Sequence, residues 1–201
     1  MSNRISSRSS PFTFTFRKQL VESFSEFISE LKSWNMDGYY FSFMFDHISG
    51  SERQRKERMF SDVKRAHDIL SRHIVRKPKS EAWQHLLPVF IVCPDYPVPK
   101  KEKSSIRAFN SNDGLHMNAV ALVPPPPPSY LPPGVRQHPF FGKLSRMREP
   151  LDVHFQELKH EYLTDKLYRI DVTRISRSTM ADYALKNFKN GRVAYDDIRV
   201  F

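Results

Sequence analysis

The spacing of apolar residues divides this chain into predicted helices and strands. Apolar side chains recur every three or four residues over 17–34 and over 52–75, which predicts two amphipathic helices. The apolar stripe of the second helix consists of Met59, Val63, Ala66, Leu70 and Ile74. Its start offers two alternative capping boxes, Ser49 with Glu52 or Ser51 with Gln54. Two shorter helices are predicted over 152–163 and from Ser178 or Thr179 to about Asn190.

Four other segments have the composition of strands. Residues 39–45 are rich in aromatic side chains, 86–93 and 115–123 are continuous apolar runs, and 167–175 alternates between apolar and polar positions. Five prolines, Pro124–Pro128, end the third of these segments because proline cannot pair within a sheet. The order of elements predicts an α+β fold, with an antiparallel-rich sheet and helices packed on it.

Composition predicts a single domain over 17–192. A disordered basic tail, 1–16, would precede it, a Pro-rich loop would span 124–150, and a C-terminal tail would follow over 193–201. The one cysteine, Cys93, lies in an apolar run and suits a small buried side chain in a reducing cytoplasm. We find no apolar stretch long enough for a membrane span and no secretory leader.

The balance of charge favours an anionic polymer as partner. Lysine and arginine outnumber aspartate and glutamate by 32 to 22, a net charge of +10. No predicted helix joins a basic face to a strongly apolar one with Trp anchors, so nucleic acid is favoured over a membrane surface. The candidate nucleic-acid-binding residues lie on the second helix: Arg53, Arg55, Lys56, Arg58, Lys64 and Arg65. The same residues are equally compatible with a solvated helix face.

Two small groups of residues could carry chemistry. His116 and Asn118 point to one face of a predicted strand, so an imidazole nitrogen and an amide oxygen could share a divalent cation. Tyr183 falls outside the apolar stripe of the last helix, with Lys186 and Asn187 on its side. A nearby cation favours the phenolate, so this tyrosine could act as a nucleophile. A structural histidine and an ordinary surface tyrosine are the alternative interpretations.

A third group lies on the predicted helix 152–163. His154, Glu157 and Glu161 share a face that could bind metal, although a solvated charged face explains the same pattern. The sequence contains no Gly-rich phosphate-binding loop, which argues against a nucleotide or other small-molecule substrate.

Three motifs together resemble the rolling-circle replication initiators of the HUH endonuclease superfamily, the phage and plasmid Rep proteins. The aromatic strand 39–45 stands in the place of the first motif, and Leu115–Pro125 resembles the second, a His–hydrophobic–His strand followed by prolines. Ile170–Ile175 followed by Ala181–Lys186 resembles the third, a strand and then a helix with Tyr-x-x-Lys. The resemblance implies a ferredoxin-like or RRM-like sheet.

The resemblance also implies a function. Tyr183 would attack a phosphate of single-stranded or hairpin DNA and remain joined to the 5′ end, with Lys186 orienting the phosphate or steadying the phenolate. His116 and Asn118 would hold Mg²⁺ or Mn²⁺. The chain would be a nicking endonuclease and nucleotidyltransferase that initiates replication of a phage, plasmid or mobile element, with a host helicase as a further partner.

The sequence departs from the family pattern at two points. Asn118 replaces the second histidine, and the acidic third ligand has no clear match; Asp113 is nearest but lies in a predicted turn, and Asn187 could substitute for it. A non-catalytic nucleic-acid-binding protein on the same fold therefore remains an alternative, as does an adaptor acting through Pro124–Pro128.

Overall fold

The computed structural model describes residues 14–34, 36–96, 112–125, 147, 149–175 and 180–201. The predicted basic tail up to residue 13, most of the Pro-rich loop and the polar segment 97–111 lie outside the described residues.

A five-stranded antiparallel sheet forms the centre of the molecule. Its strands are β1 (Asp37–Phe45), β2 (Val89–Asp95), β3 (His116–Val123), β4 (Leu167–Arg174) and β5 (Arg199–Val200). They lie in the order β4-β1-β3-β2-β5, and every neighbouring pair is antiparallel. β3 is therefore the central strand, and it is buried on both faces along nearly its whole length. This explains why its sequence is a continuous apolar run rather than an alternating one.

Helices cover both faces of this sheet. Helices α2 (Glu52–Ile74) and α3 (Leu151–Tyr162) pack on one face, over the aromatic side chains of β1. Helix α1 (Phe14–Ser33) and two short helices, α4 (Met180–Ala184) and α5 (Lys186–Lys189), pack on the opposite face. The chain thus forms three layers, helix on sheet on helix, with a separate apolar core on each side of the sheet.

The predicted α+β class is confirmed, and most predicted elements lie within a few residues of their observed positions. Ser51 is the N-cap of α2 and forms the capping box with Gln54, so the second of the two alternatives is correct. Residues 193–201, predicted as a tail beyond the domain, instead contain a 3₁₀ turn at Tyr195–Asp197 and strand β5. Backbone hydrogen bonds between Phe90 and Phe201 hold this end of the chain to β2.

None of the helices in the described part of the chain combines the length and the apolar character that crossing a bilayer requires.

Candidate functional site

The register of the two middle strands places an acidic residue opposite His116. In the antiparallel pair β2–β3, Asp95 is the partner of His116, and Cys93 is the partner of Asn118. Because cross-strand partners point to the same face, Asp95, His116 and Asn118 form one group at the end of the sheet. This group lies on the face that α4 and α5 cover.

Side chains from β3 and α5 converge on the Asp95 carboxylate. On Oδ2, the Lys186 ammonium lies at 2.8 Å, the Asn118 amide donates at 2.7 Å, and His116 Nε2 lies at 3.3 Å. Asn187 donates from its side-chain amide to Oδ1. Asp95 and Asn118 are 4% and 1% exposed, so these contacts are made away from bulk water.

The charge on Asp95 is stabilised by these contacts. Burial acts to raise the pKa of Asp95, but the hydrogen bonds and positive charges of His116 and Lys186 outweigh it and hold the pKa below its ordinary value. The carboxylate is therefore ionised at neutral pH and available to balance a cation.

His116 faces Asp95 in an orientation that favours a bound cation. Its Nδ1 lies 3.1 Å from the Gly114 carbonyl oxygen, which can only accept a hydrogen bond, so Nδ1 carries a proton. Nε2 then faces the Asp95 carboxylate, with 3.3 Å between Nε2 and Oδ2. A proton or a metal cation between these two acceptors would make the contact favourable.

The last predicted helix is broken, and the break separates Tyr183 from Asn187. Leu185, between α4 and α5, has φ −98° and ψ 13°, away from helical values. Tyr183 is 52% exposed, whereas Asn187 turns into the protein and is 1% exposed. The expectation that both share one face of a continuous helix is therefore wrong, although both approach the same site from its two sides.

Lys186 connects the tyrosine to the polar group. Its ammonium lies 4.8 Å from the centre of the Tyr183 ring while it also contacts Asp95. Tyr40 on β1 packs edge-on against Tyr183, with 5.2 Å between ring centroids. Burial, together with the neighbouring Tyr183, raises the pKa of Tyr40 well above that of an ordinary phenol, so Tyr40 keeps its proton and acts as a packing surface.

The acidic partner that sequence analysis did not find is Asp95. Asp113, the nearest acidic candidate on the chain, instead forms an ion pair of 2.9 Å with Arg55 on α2. Asn187, named as a substitute ligand, contacts Asp95 rather than His116. A signal for Asp95 exists in the sequence, since it directly ends the apolar run Val89–Pro94, but only the strand register shows that it meets His116.

Many of the cations on α2 have partners within the protein. Lys56 pairs with Glu52 and Asp197, Lys64 with Asp68, and Arg65 donates to the Tyr162 carbonyl oxygen. The helix packs on the sheet face opposite the site, although its first turn reaches the same end of the sheet through Arg55. Arg53 and Arg58 are exposed.

Two members of the third candidate group, His154 and Glu161, belong to a cluster around the buried His73, whereas Glu157 is exposed. His154 is 4% exposed, and its Nε2 lies 2.9 Å from the Tyr162 hydroxyl and 3.1 Å from His73 Nδ1. Glu161 contacts the other ring nitrogen of His73 at 3.1 Å. These hydrogen bonds join α2 to α3, so the cluster has a structural role.

The site beside Tyr183 contains a donor set suited to a hard or borderline divalent cation. Within the described residues no group of three His, Cys, Asp or Glu side chains could hold a metal, so an ion here would also need the amide oxygen of Asn118. That oxygen is buried and accepts no hydrogen bond from the described residues. One imidazole, one carboxylate and one amide oxygen are donors that Mg²⁺ or Mn²⁺ can use. The Lys186 ammonium and the Asn118 amide nitrogen both contact Asp95 Oδ2, so the residues fit the ion only if Lys186 moves away and the Asn118 amide reverses.

No family model matches this sequence, and no curated protein or solved structure is significantly similar to it.

Proposed function

We propose that this protein is a metal-dependent, single-strand DNA-nicking endonuclease of the HUH type that forms a 5′-phosphotyrosyl link. The observation that carries the proposal is the position of an exposed tyrosine, Tyr183, against the Lys186 ammonium, beside Asp95, His116 and Asn118. The proposal gives these neighbouring side chains the roles of nucleophile, cation and metal donors at one end of the sheet.

The topology supports the same proposal. The order β1-α2-β2-β3-α3-β4 and the strand order β4-β1-β3-β2 correspond to the ferredoxin-like arrangement that the resemblance implies. The segment that resembles the second motif forms the central strand β3, and Tyr183 follows the edge strand β4. β5 is an addition beyond this arrangement.

The sheet face next to the site is partly exposed and could receive a nucleic acid strand. Ser42 and Met44 on β1 are half-buried on the face that carries Asn118, and Arg169 beside them on β4 is exposed. Together with Tyr40 and the exposed Tyr183, this surface presents aromatic and polar groups on which unpaired bases could stack.

The chemistry would be a transfer of the phosphoryl group to tyrosine. The Tyr183 hydroxyl oxygen forms a bond to phosphorus, the bond from phosphorus to the 3′ oxygen breaks, and the 3′ oxygen takes up the proton that the phenol loses. Lys186 steadies the negative charge on the phenolate or the phosphate. Asp95, His116 and Asn118 would hold Mg²⁺ or Mn²⁺, which polarises the scissile phosphate when bound. The retained 3′ hydroxyl could prime replication of a phage, plasmid or mobile element.

A strand-cleavage assay tests this proposal. With a labelled hairpin oligonucleotide and Mn²⁺, we expect the fragment with the new 5′ phosphate to migrate with the protein on a denaturing gel, and the fragment with the 3′ hydroxyl to migrate freely. Tyr183→Phe should abolish both products. Tyr168→Phe is the matched control, since Tyr168 is 49% exposed and Tyr183 is 52% exposed.

A non-catalytic nucleic-acid-binding protein is the second candidate. The observation that favours it is the hydrogen-bonding of the Asp95 carboxylate by Lys186, Asn118 and Asn187, which leaves the charge already balanced. Binding of the oligonucleotide without cleavage in Mg²⁺ or Mn²⁺ would select this function over the first.

A further inference from the structure

The position of the Lys186 ammonium conflicts with the position of a metal ion at the same carboxylate. Lys186 Nζ lies 2.8 Å from Asp95 Oδ2, the oxygen that also faces His116 Nε2 at 3.3 Å. A divalent cation shared by His116 and Asp95 would lie beside this oxygen, within a few ångströms of the ammonium. Two cations so close repel each other strongly where little water is present.

Asn118 shows a second adjustment that a metal would require. Its amide nitrogen donates to Asp95 Oδ2 at 2.7 Å, while its amide oxygen is buried and accepts no hydrogen bond from the described residues. A half-turn of the amide would direct the oxygen towards the carboxylate, which is unfavourable unless a cation lies between them. The present orientation of Asn118 therefore suits the ammonium, and the reversed orientation suits a metal.

We propose that Lys186 is a displaceable counter-ion of Asp95, so that a divalent cation binds to Asp95, His116 and Asn118 only in competition with the Lys186 ammonium. This inference deepens the proposed function and rests on its metal site. The ammonium already lies 4.8 Å from the Tyr183 ring, so a small movement takes it from the carboxylate towards a phosphate held at the tyrosine.

Competition of this kind couples the metal to DNA. A phosphate that attracts Lys186 removes the competitor from Asp95, and a metal that displaces Lys186 makes the ammonium available to the phosphate. Because such coupling is reciprocal, each ligand should tighten the binding of the other. Lys186 would thus prevent the site from filling with metal until DNA is present.

Isothermal titration calorimetry with Mn²⁺ alone tests the proposal without DNA or cleavage. Lys186→Met removes the charge but keeps an unbranched side chain, and it should tighten Mn²⁺ binding about tenfold or more, because the competing ion pair is gone. Lys186→Arg keeps a cation and should bind Mn²⁺ as weakly as the wild type. Adding Asp95→Asn to Lys186→Met should remove the binding.

Lys189→Met is the matched control. Lys189 lies on the same short helix, its side chain is 31% exposed against 32% for Lys186, and it pairs with Asp182 at 2.7 Å instead of Asp95. Its Mn²⁺ affinity should equal that of the wild type. The proposal would be overturned if wild type and Lys186→Met bound Mn²⁺ with equal affinity, or if neither bound it. It would also be overturned if Lys186→Met and Lys189→Met tightened Mn²⁺ binding equally.

The outcome is separable from that of the proposed function. Tighter Mn²⁺ binding by Lys186→Met in a protein that cleaves no DNA would support this inference and reject nicking. If the wild type cleaves DNA and Lys186→Met binds Mn²⁺ no more tightly than the wild type, nicking is supported and this inference is rejected. A melting curve for each variant shows whether it is folded. If Lys186→Met is not folded, the Mn²⁺ affinity of Lys186→Arg is compared with that of the wild type instead.

Discussion

Asp95 connects the parts of the candidate site at the scale of single residues. It receives contacts from His116 and Asn118 on the central strand and from Lys186 and Asn187 on α5. Sequence analysis placed His116, Asn118 and Lys186 in the site but did not find Asp95. The reason is physical, because Asp95 and His116 are 21 positions apart and meet only through the pairing of β2 with β3.

Asp95→Asn should destabilise the protein by about 1–3 kcal/mol at neutral pH, since Lys186 and the two amides lose a charged acceptor. The pKa of Asp95 is lowered by folding, so its stabilising effect is full above the ordinary carboxyl pKa of 3.8 and is lost as the pH falls below that value. Denaturant unfolding of wild type and variant at several pH values measures this. A difference in stability that stays constant from pH 7 to pH 2 would contradict the assignment.

Cys93 should be inert in the folded protein. Burial, with a further contribution from the Asp95 charge, raises the pKa of its thiol to about 12, and the residue is 0% exposed. A thiol reagent that absorbs on reaction should therefore label almost no protein until denaturant is added, and then one equivalent. Rapid labelling under native conditions would contradict the burial of Cys93 on β2, opposite Asn118.

At the scale of elements, predictions succeeded where the signal was local. Helix α2 was predicted within one residue because its apolar stripe and its capping box lie in its own sequence. Strand β5 was missed because two residues acquire strand geometry only by pairing with β2. The interruption of the last helix at Leu185 was missed for the same reason, since Asn187 turns inwards to reach Asp95.

Ser51→Ala should lower the stability of the protein by about 1 kcal/mol, because the N-cap hydroxyl accepts a hydrogen bond from the Gln54 backbone at the start of α2. Ser49→Ala is the control, since Ser49 belonged to the alternative capping box that the structure does not use. Thermal melting of both variants provides the comparison. A larger loss in Ser49→Ala than in Ser51→Ala would show that α2 begins differently.

At the scale of the whole molecule, the net charge of +10 is distributed over surfaces with different roles. Several cations of α2 hold other parts of the protein, including Lys56 with Asp197 and Arg55 with Asp113. Arg53 and Arg58 are exposed and could contact phosphates. The interpretation of α2 as a phosphate contact therefore stays a prediction, and it concerns Arg53 and Arg58 rather than the cations that pair within the protein.

Affinity for single-stranded DNA should fall with salt, and each neutralised phosphate should add about 0.7 to the slope of log affinity against log salt. Fluorescence anisotropy of a labelled oligonucleotide measures the slope. Arg53→Gln and Arg58→Gln should each reduce it if α2 contacts phosphates, and leave it unchanged if α2 is only solvated. An affinity that is identical at low and physiological salt would contradict electrostatic binding of DNA altogether.

The most direct test of the account identifies the residue that becomes joined to DNA. After reaction with a hairpin oligonucleotide and Mn²⁺, the covalent complex is digested with trypsin and analysed by mass spectrometry. We predict that the nucleotide is attached to the peptide containing Tyr183, which is exposed beside Lys186. Attachment to Tyr168 or Tyr195, or the absence of any covalent peptide while the oligonucleotide is bound, would contradict the account.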